Sequence, residues 1–255
     1  MAAAAQTPLA VCENDKDLQA MLALLRDTDE PSMVRLAALQ SVQAASFSVL
    51  AFESCRGDYI ASLRKVAEDP NPELRQRVLG LLAREKDGFA EQKLLEGLRN
   101  PEKALLPPEK ALQLLSYNVH TEAYSLARDI VKEPPNQVAR REALRLLAAD
   151  ATAAPLFEKL LRDKNELREI RQIAASALHA LAPEKLLMNA REIILDKSDY
   201  DDIKATSLTA LTQFGDDAVL AKDKALLKSV DRLSAGKASA TNKQSARRFL
   251  RKYGQ

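Results

Sequence analysis

Apolar residues return along this chain in one figure: a starting position, a small residue three later, and aliphatic residues four and seven later. It reads Arg35-Ala38-Leu39-Val42, Arg75-Val78-Leu79-Leu82, Pro108-Ala111-Leu112-Leu115, Arg140-Ala143-Leu144-Leu147, Arg171-Ala174-Ala175-Leu178 and Lys204-Ser207-Leu208-Leu211. Positions three, four and seven after the start share one face of an α-helix, so each figure predicts a helix with one buried stripe. Ten positions ahead of each start, Leu25, Lys65, Leu98, Ile130, Leu161 and Ile194 fall in a preceding helical segment, five of them aliphatic. Turn formers separate the segments: Asp29-Glu30-Pro31, Asp69-Pro70-Asn71-Pro72, Asn100-Pro101, Glu133-Pro134-Pro135 and Asp163-Lys164-Asn165. Proline is tolerated only in the first turn of a helix, and Asp or Asn caps it. The unit is therefore helix, turn, helix, and the starts recur every 31–40 residues. One such hairpin cannot bury its stripe alone, whereas stacked neighbours can.

Composition supports helices throughout. Hydrophobic residues make up 46% of the chain but aromatics only 4%, and tryptophan is absent, so the apolar content is mainly Ala and Leu. These are strong helix formers, and seven glycines leave little to interrupt them. A net charge of +2 argues against the whole chain acting as an electrostatic nucleic-acid binder. Cys12 and Cys55 lack metal or redox spacing and read as free thiols. No apolar run approaches the ~18–20 residues of a membrane span. The Met1-Ala2-Ala3-Ala4-Ala5 start lacks the basic, long-apolar pattern of a secretion signal, so a cytoplasmic location is expected.

The aliphatic-basic helix starts (Val34-Arg35, Leu74-Arg75, Ile170-Arg171, Ile203-Lys204), the Asp/Pro turns and the Ala-Leu that follows resemble the HEAT-repeat superfamily, in its short, HEAT-like form, over about residues 15–214. The Trp and Gly-Tyr positions of tetratricopeptide repeats and the Thr-Pro-Leu-His of ankyrin repeats have no counterpart. The resemblance implies an all-α, right-handed α-solenoid of about six two-helix repeats with terminal capping helices. On this division residues 1–14 are disordered, 15–214 form the solenoid and 215–233 a capping helix. Residues 234–255 form a breaker-rich linker and a short basic helix from Lys243 to Tyr253. The irregular connection carrying Phe47, Val49, Leu50, Phe52 and Cys55 reads as an extra short helix.

Three groups of side chains bear on function. Arg35, Arg75, Arg140, Arg171 and Lys204 recur in register as a ladder, and in HEAT proteins the matching Arg is a scaffold residue, as the resemblance implies. Such a residue is expected to bond acids and helix ends in the turns, with Asp29 and Asp69 six residues before Arg35 and Arg75. Beside the ladder the residues vary: Leu36, Gln76, Glu109, Arg141, Gln172 and Ala205, then Gln40, Gly80, Gln113, Arg145, Ser176 and Thr209. Second helices line the concave face of solenoids, so Gln40, Gln76, Gln113, Arg141, Arg145 and Gln172 are the candidate partner-binding residues. The third group is the basic tail, Lys243, Arg247, Arg248, Arg251 and Lys252, interleaved with Phe249, Leu250 and Tyr253. It reads as a cap packed through Phe249 and Leu250, with nucleic acid or an acidic membrane surface as the other reading.

Arg56-Gly57-Asp58 is expected to be a turn with Asp58 as N-cap. His120 and His179 have no metal or triad partner in sequence. Phosphate loops and nucleophile elbows are missing. Among HEAT-like enzymes, the iron hydroxylases need His-Glu pairs absent here, and the alkyl-base glycosylases need Trp and Tyr beside an Asp, where this chain offers only Tyr117 and Tyr124 in its middle repeats. Nothing points to a bilin cleft. The sequence thus predicts a non-enzymatic scaffold without cofactor or metal, binding a protein or peptide on its concave face. Association with DNA or RNA through the tail, with or without glycosylase-like chemistry, is the alternative, and an enzyme acting on a tetrapyrrole is the third reading.

Overall fold

In the computed structural model, residues 15–46, 52–118 and 121–254 are described, and they are all-α. They form fifteen α-helices, interrupted by single 3-10 turns at Glu53–Cys55, Pro101–Lys103 and Ala151–Ala153. The described residues divide between Ala123 and Tyr124 into two compact units.

The first unit holds α1 (Asp15–Arg26), α2 (Ser32–Ala45), α3 (Arg56–Val66), α4 (Pro72–Arg84), α5 (Gly88–Arg99) and α6 (Pro108–Leu115). Successive helices pair as α1 with α2, α3 with α4 and α5 with α6. The second helices also touch in series, α2 to α4 to α6, and α1 touches α3. The stripe read from the sequence is the buried one: Ala38, Leu39 and Val42 on α2, Val78, Leu79 and Leu82 on α4, and Ala111, Leu112 and Leu115 on α6. Asn71 caps α4 through the Leu74 amide, and Asp87 caps α5 through the Phe89 and Ala90 amides. Gly97 is dictated by close approach, because a Cβ there would lie 2.9 Å from the Ala104 Cα.

The division falls within α7 (Thr121–Lys132), and the second unit continues with α8 (Gln137–Leu147), α9 (Ala154–Arg162), α10 (Arg168–Leu181), α11 (Pro183–Leu195) and α12 (Asp201–Phe214). It ends with α13 (Asp217–Leu220), α14 (Lys224–Ala235) and α15 (Ala240–Tyr253). Here α9 pairs with α10, α11 with α12 and α14 with α15. First helices touch in series as α9, α11 and α14, and second helices as α8, α10, α12 and α15.

Three local details differ from the sequence reading. The single helix expected over 216–233 is two, because Asp223 starts a new helix by accepting the Leu226 amide after Asp216 has capped α13. Pro108 begins α6, whereas each of the other five starts is the fourth residue of its helix; the ring removes the amide and blocks an earlier start. Asp58 is not the N-cap of its helix: α3 begins at Arg56, and Asp58 lies in its first turn, where it accepts from Gln19 Nε2 at 2.7 Å. Cys12, Phe47, Val49, Leu50 and His120 lie outside the described residues, as does the expectation for 1–14. Phe52 is buried edge-on against Tyr59, ring centroids 5.0 Å apart.

Candidate functional site

The basic ladder is built at helix ends. Arg171 enters in the first turn of α10, and its Nε donates to the Leu161 carbonyl at 3.0 Å. That carbonyl belongs to the last turn of α9, where a helix leaves its C=O groups without intrahelical partners. The two terminal nitrogens of the same guanidinium then grip Asp199, in the turn ahead of α12, at 2.9 Å each. Arg35 repeats the arrangement, with Nε on Leu25 O at 2.9 Å and a terminal nitrogen on Asp69 at 2.6 Å. Arg140 holds Glu166 through both terminal nitrogens, at 2.9 and 2.6 Å. Each of these bases therefore reaches forward to the next turn. Arg35 does not pair back to Asp29, as the six-residue spacing suggested. Arg75 also reaches forward, but to a carbonyl, Leu105 O at 2.6 Å, and binds Asp69 O at 2.7 Å.

This wiring sets a pH dependence. Arg140's hydrogen bond holds the Glu166 carboxyl below its ordinary pKa. Burial pushes Asp199 upward, but hydrogen bonds from Arg171 and Lys164 outweigh it, so its pKa is also lowered. A carboxyl whose folded pKa is depressed stabilises the fold above its unfolded pKa, and that contribution is lost as pH falls through the folded value. The urea midpoint is thus expected to hold from neutrality to about pH 5 and to fall as pH drops below about 4. In Glu166→Gln the neutral-pH midpoint should be lower and the acid decline shallower, as circular dichroism at stepped pH would read out.

The variable positions behave differently in the two units. In the first, Gln76, Gly80 and Gln113 line one groove with Gln43, Leu114 and Tyr117, a space of 310 Å³. Gln40 is exposed on α2 but is not among its lining residues. Tyr117 is 46% exposed, and the Arg84 guanidinium lies 5.9 Å from its ring centre. In the second unit the corresponding polar side chains bond mainly to neighbouring side chains, although Arg141 Nε and Gln172 Oε1 are buried without a hydrogen-bond partner among the described residues. Arg141 pairs with Glu169, and Arg145 with Glu142 and Glu169. Gln172 donates to Ser176 and Thr206, and Ala205 is buried. Arg141 and Arg145 are therefore compensated cations rather than a free basic patch.

The tail is anchored. Ala246, Phe249 and Tyr253 share a buried cluster with Leu208, Leu211 and Leu226. Lys252 donates to Asp217 at 2.9 Å and to Thr212 O at 3.1 Å. Lys243, Arg247 and Arg251 flank Leu250 over a shallow depression and have no carboxylate partner among the described residues. Arg248 is exposed. His179 meets Gln213 at 3.0 Å and stacks at a tilt on Phe214.

A feature missed in the sequence closes the second unit. Asn242, Ser245, Ala246 and Phe249 are all buried at the start, +3, +4 and +7 positions, so α14–α15 is a further hairpin in register. The signal was the spacing itself, hidden because the start is not basic and Phe replaces the aliphatic residue.

No family model, no curated protein and no solved structure matches this chain. No helix among the described residues is long and apolar enough to cross a membrane.

Proposed function

We propose that the chain is a non-enzymatic scaffold of HEAT-like helix hairpins that binds an extended segment of a partner protein across α2, α4 and α6. The observation that carries this reading is the groove in which Gln43, Gln76 and Gln113, one from each successive second helix, accompany an exposed tyrosine. A glutamine amide both donates and accepts, as a peptide group does. Packed helices lie about 8–10 Å apart, and an extended chain advances about 3.3 Å per residue, so one glutamine per helix meets about every third residue of a bound strand. Tyr117 supplies a rigid amphipathic surface of the kind that dominates binding energy at interfaces. Of the three cations that line the groove, Arg77 pairs with Glu73 at 2.7 Å, Arg84 lies over Tyr117, and Lys110 meets Gln113 Oε1 at 3.5 Å. Two cations without a carboxylate partner among the described residues suit a mixed peptide that carries an occasional acidic side chain.

The cations of α15 support the nucleic-acid alternative less well. Lys243, Arg247, Arg248 and Arg251 neutralise at most about four phosphates, too few for tight binding at physiological salt.

Gly80 gives a clean test. A Cβ there meets only Leu114 Cδ2, at 3.9 Å, so a side chain enters the groove without disturbing the helix. Gly80→Met should keep or slightly raise stability, since glycine costs a helix about 0.5–1 kcal/mol relative to alanine. Peptides selected by display against the wild-type chain should bind Gly80→Met and Tyr117→Ala at least tenfold more weakly. Selected peptides that bind all three chains equally would overturn the groove assignment.

A further inference from the structure

The ladder of the second unit ends on a base that has lost both of its partners. Lys204 occupies the register position of Arg171, is 4% exposed, and makes one long hydrogen bond, to Lys197 O at 3.4 Å. The carbonyl ten residues earlier, which Arg171 and Arg35 bind in their own hairpins, is here Ile194 O, and Ser229 Oγ of α14 takes it at 3.2 Å. The acid of the next turn is missing as well. Glu166 and Asp199 stand five residues before the starts Arg171 and Lys204; five residues before the following start, Asn242, stands Lys237. A base thus sits where the preceding repeats place a carboxylate. Lys204 has no ion-pair partner among the described residues, and burial draws its pKa below the ordinary lysine value despite the carboxylates of Asp199, Asp201 and Asp196 nearby.

The gap is a cavity of 590 Å³, within the range of ligand pockets. Besides Lys204 and Lys237, Lys228 and Arg232 line it, as do Ile194 and Leu233. The two acids that border it are already committed. Asp199 is held by Arg171 and Lys164, and Asp201 accepts from the Ser239 amide at 2.5 Å and from Asn242 Nδ2 at 3.1 Å. A buried ammonium without a counter-ion is costly, and the rungs at Arg35, Arg140 and Arg171 each supply a carboxylate.

We propose that this cavity is a binding site for an aliphatic carboxylate, whose anionic end pairs with Lys204 in the place of the missing ladder acid while its apolar body rests on Ile194 and Leu233. A free acid and an acidic side chain flanked by aliphatic residues share this chemistry. The site is independent of the peptide groove lined by Gln76 and Tyr117, so failure of one leaves the other standing.

Isothermal titration of the full chain with hexanoate, hexanamide, inorganic phosphate and the capped tripeptide acetyl-Leu-Asp-Leu-amide tests it. Saturable binding is expected for hexanoate or the tripeptide and not for hexanamide; which of the two carboxylates binds more tightly distinguishes the free from the peptide-borne source. Lys204→Met should weaken that binding at least tenfold while the melting midpoint holds or rises, because an uncompensated buried charge is removed. Lys237→Asp, at an exposed position that lines the cavity, should supply a counter-ion from the chain itself, raise the midpoint and also abolish binding. Absence of carboxylate binding, equal binding of hexanamide, a preference for phosphate, or carboxylate binding unchanged in Lys204→Met would each overturn the proposal, as would a Lys204→Met chain that melts well below wild type.

Discussion

Replacing Arg171 by alanine is expected to destabilise the second unit by about 3–5 kcal/mol, the loss that follows when one partner of a buried ion pair is removed. The guanidinium is 2% exposed, and its partner carboxylate is fully buried. Three groups lose their bonds at once: the Leu161 carbonyl at the end of α9 and both oxygens of Asp199 ahead of α12. Lys164, on the other side of Asp199, keeps part of that charge compensated, which places the loss toward the lower end of the range. Arg171→Lys should recover little, since an ammonium cannot supply the planar fork that reaches a carbonyl and a carboxylate together. The measurement is urea unfolding followed by circular dichroism. A loss below about 1 kcal/mol, the size of a surface ion pair, would show that the rung is not a clamp between helices. The double variant Arg171→Met with Asp199→Leu should regain most of the loss, because replacing a buried pair by apolar side chains is often neutral.

The same rung shows how far the sequence could be read. Its helical face was legible because Ala174, Ala175 and Leu178 must be buried together, and the spacing alone requires that. The presence of a base at the start was legible too. The direction of its reach was not: Asp29 and Asp69 lie close in sequence to Arg35 and Arg75, yet Arg35 takes Asp69, a partner fixed by the stacking of one hairpin on the next. The Gln76–Gln113 groove follows from the choice of the variable face, whereas the mutual neutralisation of Arg141, Arg145 and Glu169 depends on rotamers that periodicity cannot convey. The site at Lys204 escaped notice for a related reason. Lys204 looked like one more rung; only the positions of Ser229 and Lys237 make it an unmatched one.

The second large effect is expected at the far end of the chain, where Phe249→Ala should cost about 3–5 kcal/mol, as for other fully buried aromatic truncations. Phe249 has no exposed surface, and its ring centre lies 4.7 Å from that of Tyr253 within a cluster that includes Ile194, Leu208, Leu211 and Val230. The residue therefore joins α11, α12, α14 and α15 in one core. A basic tail that merely rested on the last repeat would lose far less on truncation, and Arg248→Ala, on the exposed side of the same helix, should change stability by no more than about 0.5 kcal/mol. Comparing the two by urea unfolding separates a closing hairpin from an appended arm, and equal small losses would favour the arm. If the large loss is found, the basic side chains of α15 belong to a helix fixed by its core. Deleting residues 237–255 to test their charge would then unfold what it was meant to probe, so point changes at Lys243, Arg247 and Arg251 are the informative ones.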